Sequence, residues 1–579
     1  MSFKQKILNI RDCKDNSAIY DVYYNEELDD KLIYLESRNG FDFAGNIFRI
    51  VEELSGNDYG DFRICVFARK EVLSKIRLLQ KNYNLKIDEF ITDEKKASKI
   101  LEKAKYIFTD SGIRPKYIKR KGQIVVNTWH GTPLKLMGRD NPGEITSIGH
   151  IQHCLLSSDY LIYPNDYMME KMMNSYMIEK IYPGNVLLEG YPRNSVFFKK
   201  SDLRNRLGLD DKEIFVYMPT YRGSVNDKND EGQKRDIEGF LEAIDSNLND
   251  SQLMLVKLHP YNESQIDFSK FNKIRQFPEG FESYDVINMA DCLITDYSSV
   301  FFDFANTMRK IIIFNYDEDE YLKERGIYFP LSDLPYPKVS SVDGLIGELN
   351  LNKDYDDSDF VAEFCRYDNP DAVKNICGHI FKNSNSCMVK DNFRKDNNIL
   401  VYAGSLEDGM IDNIKNILNS PDYNFFITFR QWDGYILQNH AHILEKIPEG
   451  VEFLPFRYNL TPTFNEKKDY NRYFKSDKEK FPASLHNLFK RTYDKQFGCL
   501  KFRAVIDFDV TNLNESFIFT HSNAGEKIAV CENVPDLSNK MIDILKGFDA
   551  VVVSSDESRL YLSDYIDENK IKLINEWSI

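Results

Sequence analysis

Short apolar runs rich in β-branched and aromatic residues alternate with longer amphipathic stretches along almost the whole chain. This alternation is typical of parallel sheets covered by helices, and it argues against helix bundles and antiparallel sandwiches. The chain has 579 residues, more than one hydrophobic core can serve, so we expect about three to four domains. The sequence therefore predicts a large, multidomain α/β protein.

The predicted strands fall into three groups. In residues 1–194 the strand-like runs lie at 32–35, 62–67, 106–108, 124–126, 161–163 and 186–188. In residues 195–345 they lie at 214–217, 253–256, 292–294 and 311–314. After a polar connecting segment at 346–398, the runs of residues 399–579 lie at 399–402, 425–427, 504–506, 517–519, 550–553 and 571–574. We interpret the three groups as three Rossmann-like domains.

Three of these runs end in polar motifs. The motifs are Asn127–Pro133, which contains His130, then His259–Pro260, and then Asp296–Ser299. In an open parallel sheet the carboxyl ends of the strands lie near one edge, and ligands bind there. We therefore expect the three motifs to meet at a cleft between the first two domains.

The serine pair Ser298 and Ser299 stands between a strand-like run and an apolar, helix-like stretch. The start of a helix presents unpaired N–H groups and the positive end of the helix dipole, and both favour phosphate. We predict that the two serines are phosphate ligands. Asp303 lies inside the presumed helix, where it could face either a ribose or solvent.

His130 is the candidate for proton transfer, because histidine titrates near neutrality and can accept a proton from an alcohol. Its neighbours Trp129, Gly131 and Pro133 are expected to fix the local backbone, and a helix is predicted to begin near Leu134. The alternative interpretation is a histidine that caps this helix or bonds to a neighbouring loop.

His259 could donate a hydrogen bond to a phosphate as charge leaves it, although a structural His-Pro turn is the alternative. Arginine can hold a phosphate with two parallel hydrogen bonds, so Arg222 is a candidate donor ligand. Arg193 and the pair Asp110–Ser111 also follow strand-like runs and are candidates at the same edge.

Composition narrows the possible function classes. A net charge of −16 argues against general nucleic-acid binding. Nine cysteines without a CxxC pair favour a reducing, cytosolic compartment. The N-terminus lacks the apolar core of a signal peptide, and no run approaches the ~20 apolar residues of a transmembrane helix. Any membrane contact is therefore expected to be peripheral.

Five basic residues lie close together without an acidic residue among them: Arg114, Lys116, Lys119, Arg120 and Lys121. The cluster is interpreted either as a solvated helix face or as a contact for anionic lipid headgroups or a phosphate polymer. The histidine pairs at 150/153 and 440/442 lack neighbouring cysteines or carboxylates with ligand spacing, so no metal site is predicted.

Together the motifs resemble the CDP-glycerol:poly(glycerophosphate) glycerophosphotransferase family, which includes teichoic acid primases and polymerases and related capsule polymerases. The resemblance covers about residues 30 to 340 and rests on the segments Asn127–Lys135, Gly190–Asn194, Tyr217–Arg222, Lys257–Pro260, Ile294–Phe304, Tyr316–Asp317 and Arg325–Gly326. It implies a GT-B type fold, in which two Rossmann-like domains face a cleft.

The resemblance also implies roles for individual residues. His130 matches the family's proposed catalytic base, and His259 matches its second essential histidine. Ser298 and Ser299 match the residues that hold the donor's phosphates. We also predict Arg222, Lys257, Asp296 and Asp303 as donor-binding residues. On the acceptor side we predict Asp110, Ser111, Thr128, Lys135 and Arg193.

The implied reaction moves glycerol phosphate or ribitol phosphate from CDP-glycerol or CDP-ribitol to an acceptor hydroxyl and releases CMP. The acceptor would be lipid-linked, an oligosaccharide or a polyol phosphate, in teichoic acid or capsule synthesis at the inner face of a bacterial membrane. No cofactor and no obligatory metal are expected. The alternatives are a nucleotide-sugar glycosyltransferase of the same fold and a bifunctional polymerase of which this chain is one part.

Residues from Ser340 onward lie outside the shared motifs. The third domain begins with a strand-like run that ends in a glycine-bracketed turn, Gly404–Gly409, and it resembles the N-terminal half of a GT-B glycosyltransferase. We interpret it as half of a second enzyme or as an acceptor-binding domain. All candidate catalytic groups precede Pro330, so a cut near Ser386 is expected to leave transfer to a simple acceptor unaffected.

Overall fold

The computed structural model describes residues 26–114, 117–142, 144, 148–220, 231–258, 266–404, 414–415, 420–430, 446–457, 460–476, 480–531, 534 and 538–577. These residues form three sheets in which almost all neighbouring strands are parallel, with helices between the strands. The α/β class predicted from the sequence is confirmed. We call the first two sheets with their helices the first lobe and the second lobe, and the third sheet with its helices the third domain.

The first sheet begins near the N-terminus. Its parallel strands are β1 (Asp29–Glu36), β2 (Arg63–Phe67), β3 (Glu89–Ile91), β4 (Ala104–Thr109), β5 (Ile124–Asn127), β6 (Tyr160–Tyr163) and β7 (Asn185–Leu188). Their helices are α1 (Gly45–Leu54), α2 (Leu73–Asn82), α3 (Glu94–Lys103), α4 (Gly149–Leu156) and α5 (Asp166–Ser175). The strand order is β3-β2-β1-β4-β5-β6-β7, so the order reverses between β1 and β4 and leaves a crevice there.

The second sheet has the same topology. Its strands are β8 (Glu213–Met218), β9 (Gln252–Val256), β10 (Ile274–Gln276), β11 (Cys292–Thr295), β12 (Lys310–Phe314) and β13 (Lys338–Val339), in the order β10-β9-β8-β11-β12-β13. Its helices are α6 (Leu203–Leu207), α7 (Glu231–Asn247), α8 (Ser283–Asn288), α9 (Val300–Phe304) and α10 (Glu318–Arg325). Strands β9 and β12 are buried along their whole length, which explains their nearly uninterrupted apolar sequences.

The polar segment at 346–398 returns the chain from the second lobe to the first. It follows α11 (Val342–Leu349) and contains α12 (Ser358–Phe364), α13 (Ala372–Lys382) and β14 (Met388–Lys390). Phe360 and Phe364 of α12 belong to the core of the second lobe, whereas Ile376 of α13 belongs to the core of the first. Strand β14 then pairs antiparallel with β7. The connecting segment therefore packs on both lobes.

The third sheet repeats the order of the first. Its strands are β15 (Asn398–Tyr402), β16 (Asn424–Thr428), β17 (Glu452–Phe453), β18 (Ala504–Asp507), β19 (Glu526–Cys531), β20 (Ala550–Val553) and β21 (Ile571–Leu573), in the order β17-β16-β15-β18-β19-β20-β21. Its helices are α14 (Phe464–Lys475), α15 (Ala483–Phe497), α16 (Leu513–Thr520), α17 (Asn539–Lys546) and α18 (Asp556–Ser563).

One strand prediction in the third domain is wrong. Residues 517–519 lie in helix α16, where all three side chains are buried. A run of three apolar residues has no measurable periodicity, so it fits a buried helix as well as a strand. The strand that lies near this helix is β19, whose first two residues are the polar pair Glu526 and Lys527.

The third domain shares a hydrophobic core with the first lobe. That core joins Trp129, Met172 and Tyr182 of the first lobe to Phe453 and Tyr493 of the third domain. Hydrogen bonds also cross the boundary. They join Gln152 Nε2 to the carbonyl of Phe453 at 2.8 Å, a ring nitrogen of His153 to the carbonyl of Lys495 at 2.7 Å, and Asn398 Nδ2 to the carbonyl of Lys180 at 3.0 Å. This packing does not fit a third domain that could be removed without consequence.

Candidate functional site

His130 lies in the loop that follows β5, at the carboxyl edge of the first sheet. Two hydrogen bonds fix the loop, from Trp129 N to Asn127 Oδ1 at 2.8 Å and from Thr128 N to the carbonyl of Thr109 at 2.9 Å. Trp129 has a φ of 52°, and its indole stacks on the His130 ring with the centroids 4.4 Å apart. A left-handed conformation at a bulky residue is strained, and it persists here because the surrounding contacts hold it.

The helix predicted to begin near Leu134 is absent, and residues 131–137 form an extended loop instead. Pro133 does not prevent a helix at Leu134, since proline is favoured in the first turn of a helix, so the reason lies in tertiary contacts. The loop crosses to the second lobe, where the carbonyl of Leu134 accepts from Tyr328 N at 2.9 Å and Lys135 forms a β-bridge with Ile327. The capping role considered for His130 is therefore wrong, whereas the bond to a neighbouring loop is present, from His130 Nδ1 to the carbonyl of Asp110.

The tautomer of His130 follows from its partner. Nδ1 lies 2.8 Å from the backbone carbonyl of Asp110, and a carbonyl can only accept a hydrogen bond. Nδ1 therefore carries the proton, and Nε2 keeps its lone pair. Burial lowers the pKa of His130 to about 4, with further lowering by the cations Arg38 and Arg193. The ring is neutral at ordinary pH and can accept a proton.

Asp110 closes the crevice between β1 and β4. Its carboxylate accepts from Ser37 Oγ at 2.6 Å and from Arg38 N at 2.8 Å, and burial raises its pKa. Asp110 thus joins the loops that follow β1, β4 and β5. The hydroxyl of Thr128, also predicted for the acceptor side, is buried and donates to the carbonyl of Trp129 at 2.9 Å. Ser111 Oγ has no hydrogen-bond partner among the described residues.

The structure brings the His130 loop against the serine pair. A Cβ atom on Gly131 would overlap Ser299 Oγ and would lie 3.0 Å from Ser299 Cβ, so only glycine allows this approach. Ser298 and Ser299 are partly exposed and directly precede α9. The meeting of the first and third motifs, Asn127–Pro133 and Asp296–Ser299, at the lobe interface is therefore observed, as the strand directions predict.

Arg193 and Asp303 form a buried ion pair beneath this contact. Arg193 Nη2 lies 2.7 Å from Asp303 Oδ2, and Nη1 donates to the carbonyl of His130 at 3.0 Å. Asp303 also accepts from Tyr284 OH at 2.7 Å and from Asn194 Nδ2 at 3.1 Å. Burial lowers the pKa of Arg193, but the Asp303 carboxylate more than offsets it and the pKa is raised. The Asp303 carboxylate therefore faces Arg193 rather than solvent.

Asp368 extends the same network, and no motif in the sequence indicates it. It lies between α12 and α13, far along the chain from the motifs, and accepts from Tyr191 N at 2.9 Å, Asn194 Nδ2 at 2.9 Å and Asn306 Nδ2 at 2.8 Å. Burial raises its pKa to about 7 against these hydrogen bonds. A hydrogen-bonded chain therefore runs from Asp368 through Asn194 and Asp303 to Arg193.

Two further predicted donor residues, Asp296 and Lys257, lie at the edge of the second sheet. Asp296 is buried and accepts from Thr220 Oγ1 at 2.6 Å and Tyr297 N at 2.6 Å, which fixes the loop after β8. The Lys257 ammonium donates to Ser283 Oγ, and burial lowers its pKa. Arg222 and His259 lie outside the described residues.

The two lobes are also joined along α1. Gly45 N, at the start of this helix, donates to Glu282 Oε1 at 2.9 Å, and Arg49 Nη2 lies 2.6 Å from Asp285 Oδ1. Tyr83 OH donates to Asp285 Oδ2 at 2.6 Å. A cleft of about 520 Å³ opens at the other end of α1, and it contains none of the predicted site residues.

Most of the basic cluster is paired within the protein. Arg114 forms ion pairs with Glu36 and Glu94, Lys119 lies 2.7 Å from Asp159 Oδ1, and Arg120 is buried beside Glu102. Lys121 is exposed and Lys116 lies outside the described residues.

In the described part of the chain, no group of three or more His, Cys, Asp or Glu side chains could hold a metal ion. Within the same residues, no helix is both long enough and apolar enough to cross a membrane.

The chain is similar to several known proteins. The family model described as CDP-Glycerol:Poly(glycerophosphate) glycerophosphotransferase matches residues 18–382. The teichoic acid poly(glycerol phosphate) polymerase of Bacillus spizizenii is 29% identical over 384 residues, which cover 60% of this chain and 91% of the relative. The teichoic acid poly(ribitol-phosphate) polymerase of the same strain is 28% identical over 346 residues, which cover 54% of each protein. A solved structure of the wall teichoic acid polymerase TagF is similar with a TM-score of 0.54 and 24% identity, and the match covers 66% of this chain and 98% of that chain.

Proposed function

We propose that this chain, a member of the CDP-glycerol:poly(glycerophosphate) glycerophosphotransferase family, extends a polyol phosphate chain or its lipid-linked primer. As a member of that family, it is a transferase that moves a polyol phosphate from a CDP-activated donor. The acceptor group is then a terminal hydroxyl. Both glycerol phosphate and ribitol phosphate polymerases are among the similar proteins, so both CDP-glycerol and CDP-ribitol are candidate donors.

The observation that carries the mechanism is the hydrogen bond from His130 Nδ1 to the Asp110 carbonyl, which leaves Nε2 free to act as a base. The acceptor oxygen attacks the phosphorus atom that carries the polyol, while its proton passes to Nε2. The bond from that phosphorus to the oxygen bridging to CMP breaks, and CMP leaves with the bonding electrons. A phosphodiester is formed, and the imidazolium then releases the proton.

The low pKa of His130 is compatible with a role as base, because binding of the donor is expected to raise it. The imidazole has a pKa of about 4 because it is buried near two arginines. A pyrophosphate beside the ring adds negative charge, which favours the imidazolium and raises this pKa towards neutrality. Donor binding would thus strengthen the base at the moment when it is needed.

The second lobe would hold the donor. Ser298 and Ser299 stand at its carboxyl edge directly against the His130 loop, which supports a role in binding the phosphates. We assign Lys257, Arg222 and His259 to the same side as cationic or hydrogen-bonding ligands. With these groups supplying the charge stabilisation, we expect transfer to proceed in the presence of EDTA. We place the protein in the bacterial cytoplasm, in peripheral contact with the membrane that carries a lipid-linked acceptor.

The decisive experiment incubates the protein with CDP-glycerol, CDP-ribitol, UDP-sugars and GDP-sugars, each with a short polyol phosphate acceptor. We expect CMP release and one added phosphodiester in the product, as measured by mass spectrometry. Release of UDP or GDP, with a glycoside as the product, would contradict the proposal and favour a sugar transferase.

A further inference from the structure

A cavity of about 310 Å³ lies in the third domain, outside residues 18–382 that match the family model. It lies above the carboxyl ends of neighbouring strands of the third sheet. Arg430 reaches it from the segment after β16, and Asn514 and Glu515 reach it from the first turn of α16, which follows β18. This is the edge at which open parallel sheets bind their ligands, so its position alone favours a binding site.

Glu515 places a buried carboxylate in the wall of the cavity. The side chain is buried, and Oε1 accepts from Arg430 Nη1 at 2.8 Å. Oε2 is also buried, and it has no hydrogen-bond partner among the described residues. A buried carboxylate oxygen without a donor costs free energy, because its hydration is lost and not replaced. A ligand hydroxyl that donates to the Glu515 carboxylate would reduce this cost.

The other lining groups restrict the ligand further. Tyr470 OH donates to Asn514 Oδ1 at 2.8 Å, which orients the Asn514 amide so that its NH₂ group is the end left to donate. Asn471 and the Lys467 ammonium are exposed at the mouth on α14. The cavity therefore offers a hydrogen-bond acceptor inside, the Glu515 carboxylate. Amide N–H groups that can donate hydrogen bonds lie beside it, and a cation lies at the entrance. This arrangement is complementary to a compound with several hydroxyl groups and a negative charge at one end.

We propose that this cavity is a second binding site, which takes one polyol phosphate unit of the acceptor chain. The identity of the ligand rests on the proposed function, whereas the requirement for hydroxyl donors and an anionic group rests on the cavity alone. The third domain shares a core with the first lobe, so a unit bound here is held at a fixed place relative to His130. Two attachment points on one chain raise the effective concentration of its end at the active site.

The first test is calorimetry on the full-length protein with sn-glycerol 3-phosphate, ribitol 5-phosphate, a glycerol phosphate trimer and inorganic phosphate. Two variants alter the site, Glu515→Gln inside the cavity and Asn471→Leu at its mouth. The matched control is Asn465→Leu, which changes the same residue type on the exposed side of the same helix outside the cavity. We expect about tenfold weaker binding of the trimer in both site variants, and wild-type binding in the control.

Kinetics then separate this site from the active site. With a long acceptor, the site variants are expected to raise KM about tenfold while kcat stays unchanged, and with glycerol 3-phosphate as a minimal acceptor they behave like the wild type. The proposal would be overturned if both variants bound the trimer with wild-type affinity. It would also be overturned if this cavity bound CMP or UDP more tightly than the trimer. If the trimer binds and both variants lose it but the wild type releases no CMP, the site stands and the proposed function falls. If CMP is released but the trimer binding is independent of both residues, only the second site falls.

Discussion

The first lobe and the third domain have sheets with the same strand order, yet they present different chemistry at the same edge. In both, an aspartate after the fourth strand meets the loop after the first strand: Asp110 bonds to Ser37, and Asp509 lies against Gly404. The difference lies in the loop after the fifth strand, which carries His130 in the first lobe. In the third domain the corresponding segment reads Glu532-Asn533-Val534-Pro535 and contains no histidine.

A second difference is what faces each edge. The edge of the first sheet is met by Ser299 of the second lobe, so a donor and an acceptor can be held on opposite sides. The cavity of the third domain is lined by its own residues in the described part of the chain. The topology therefore fixes where a ligand binds, whereas transfer requires a reactive loop and a second lobe opposite to it.

The largest effect is expected when the third domain is removed from the first lobe by truncation. Removing residues after 386 deletes β14 and exposes the apolar surface around Met172, Met177 and Tyr182. Contrary to the sequence-based expectation, we expect this fragment to aggregate. Solubility and circular dichroism measure the effect. The control is the full chain nicked by a protease near residue 386, in which both pieces stay associated and activity is kept. A soluble, monomeric fragment with full CMP release would show that the two cores are independent.

The next prediction tests which histidine is catalytic. His130→Ala should reduce kcat by about 10²–10⁴-fold, the usual contribution of a general base, while donor affinity measured by calorimetry stays close to wild type. His521→Ala in the third domain is the matched control, because burial lowers the pKa of that histidine to about 4 as well. Equal activities of the two variants would remove His130 from the mechanism.

The buried ion pair should matter more than an exposed one. Arg193→Ala leaves Asp303 as a buried charge without its cation, which is expected to destabilise the fold by about 3–5 kcal/mol. Lys490→Ala breaks the more exposed pair with Asp494 in the third domain and should change stability by less than about 1 kcal/mol. Urea denaturation of both variants gives the comparison. Similar midpoints would mean that the lobe interface does not depend on this pair.

The approach of Gly131 to Ser299 can be tested with a compensating pair. Gly131→Ala introduces a methyl group that overlaps Ser299 Oγ, and we expect a loss of stability of about 1–3 kcal/mol and a lower kcat. Ser299→Gly in the same chain removes the obstruction and should restore part of the stability. A double-mutant cycle gives the coupling between the two positions. Strictly additive effects would show that the lobes do not touch here in solution.

The smallest expected effect is in the pH profile. The pKa of His130 is lowered to about 4 in the folded protein, so its contribution to stability is present above its ordinary pKa of ~6.5 and is lost as the pH falls towards 4. The acid limb of kcat/KM should therefore lie near pH 4, and that of kcat, which reports the donor complex, should lie at higher pH. Identical limbs for both parameters, or a limb unchanged by His130→Gln, would contradict the assignment.

The strand runs and the sheet-edge argument predicted much of the fold and the meeting of His130 with Ser299, because both depend on local apolar patterning and on strand direction. The failures have physical reasons. The run 517–519 was too short to show a period. Pairing of Leu134 and Lys135 with the second lobe replaced the helix predicted at Leu134. Asp303 could not be oriented from the sequence, because its partner Arg193 comes from 110 positions away. Asp368 joins the site only through tertiary contacts.

The chain passes between the two lobes twice, and the two passages lie side by side. Tyr191 N and Asn194 Nδ2 in the first passage both bond to Asp368 in the second, each at 2.9 Å. Because the two passages are bonded to each other, a displacement of one strains the other. Arg193 stands in the first passage and donates to the carbonyl of His130 at 3.0 Å. The covalent connection between the lobes is therefore tied directly to the His130 loop, so a substitution in either passage is expected to shift His130 relative to the second lobe.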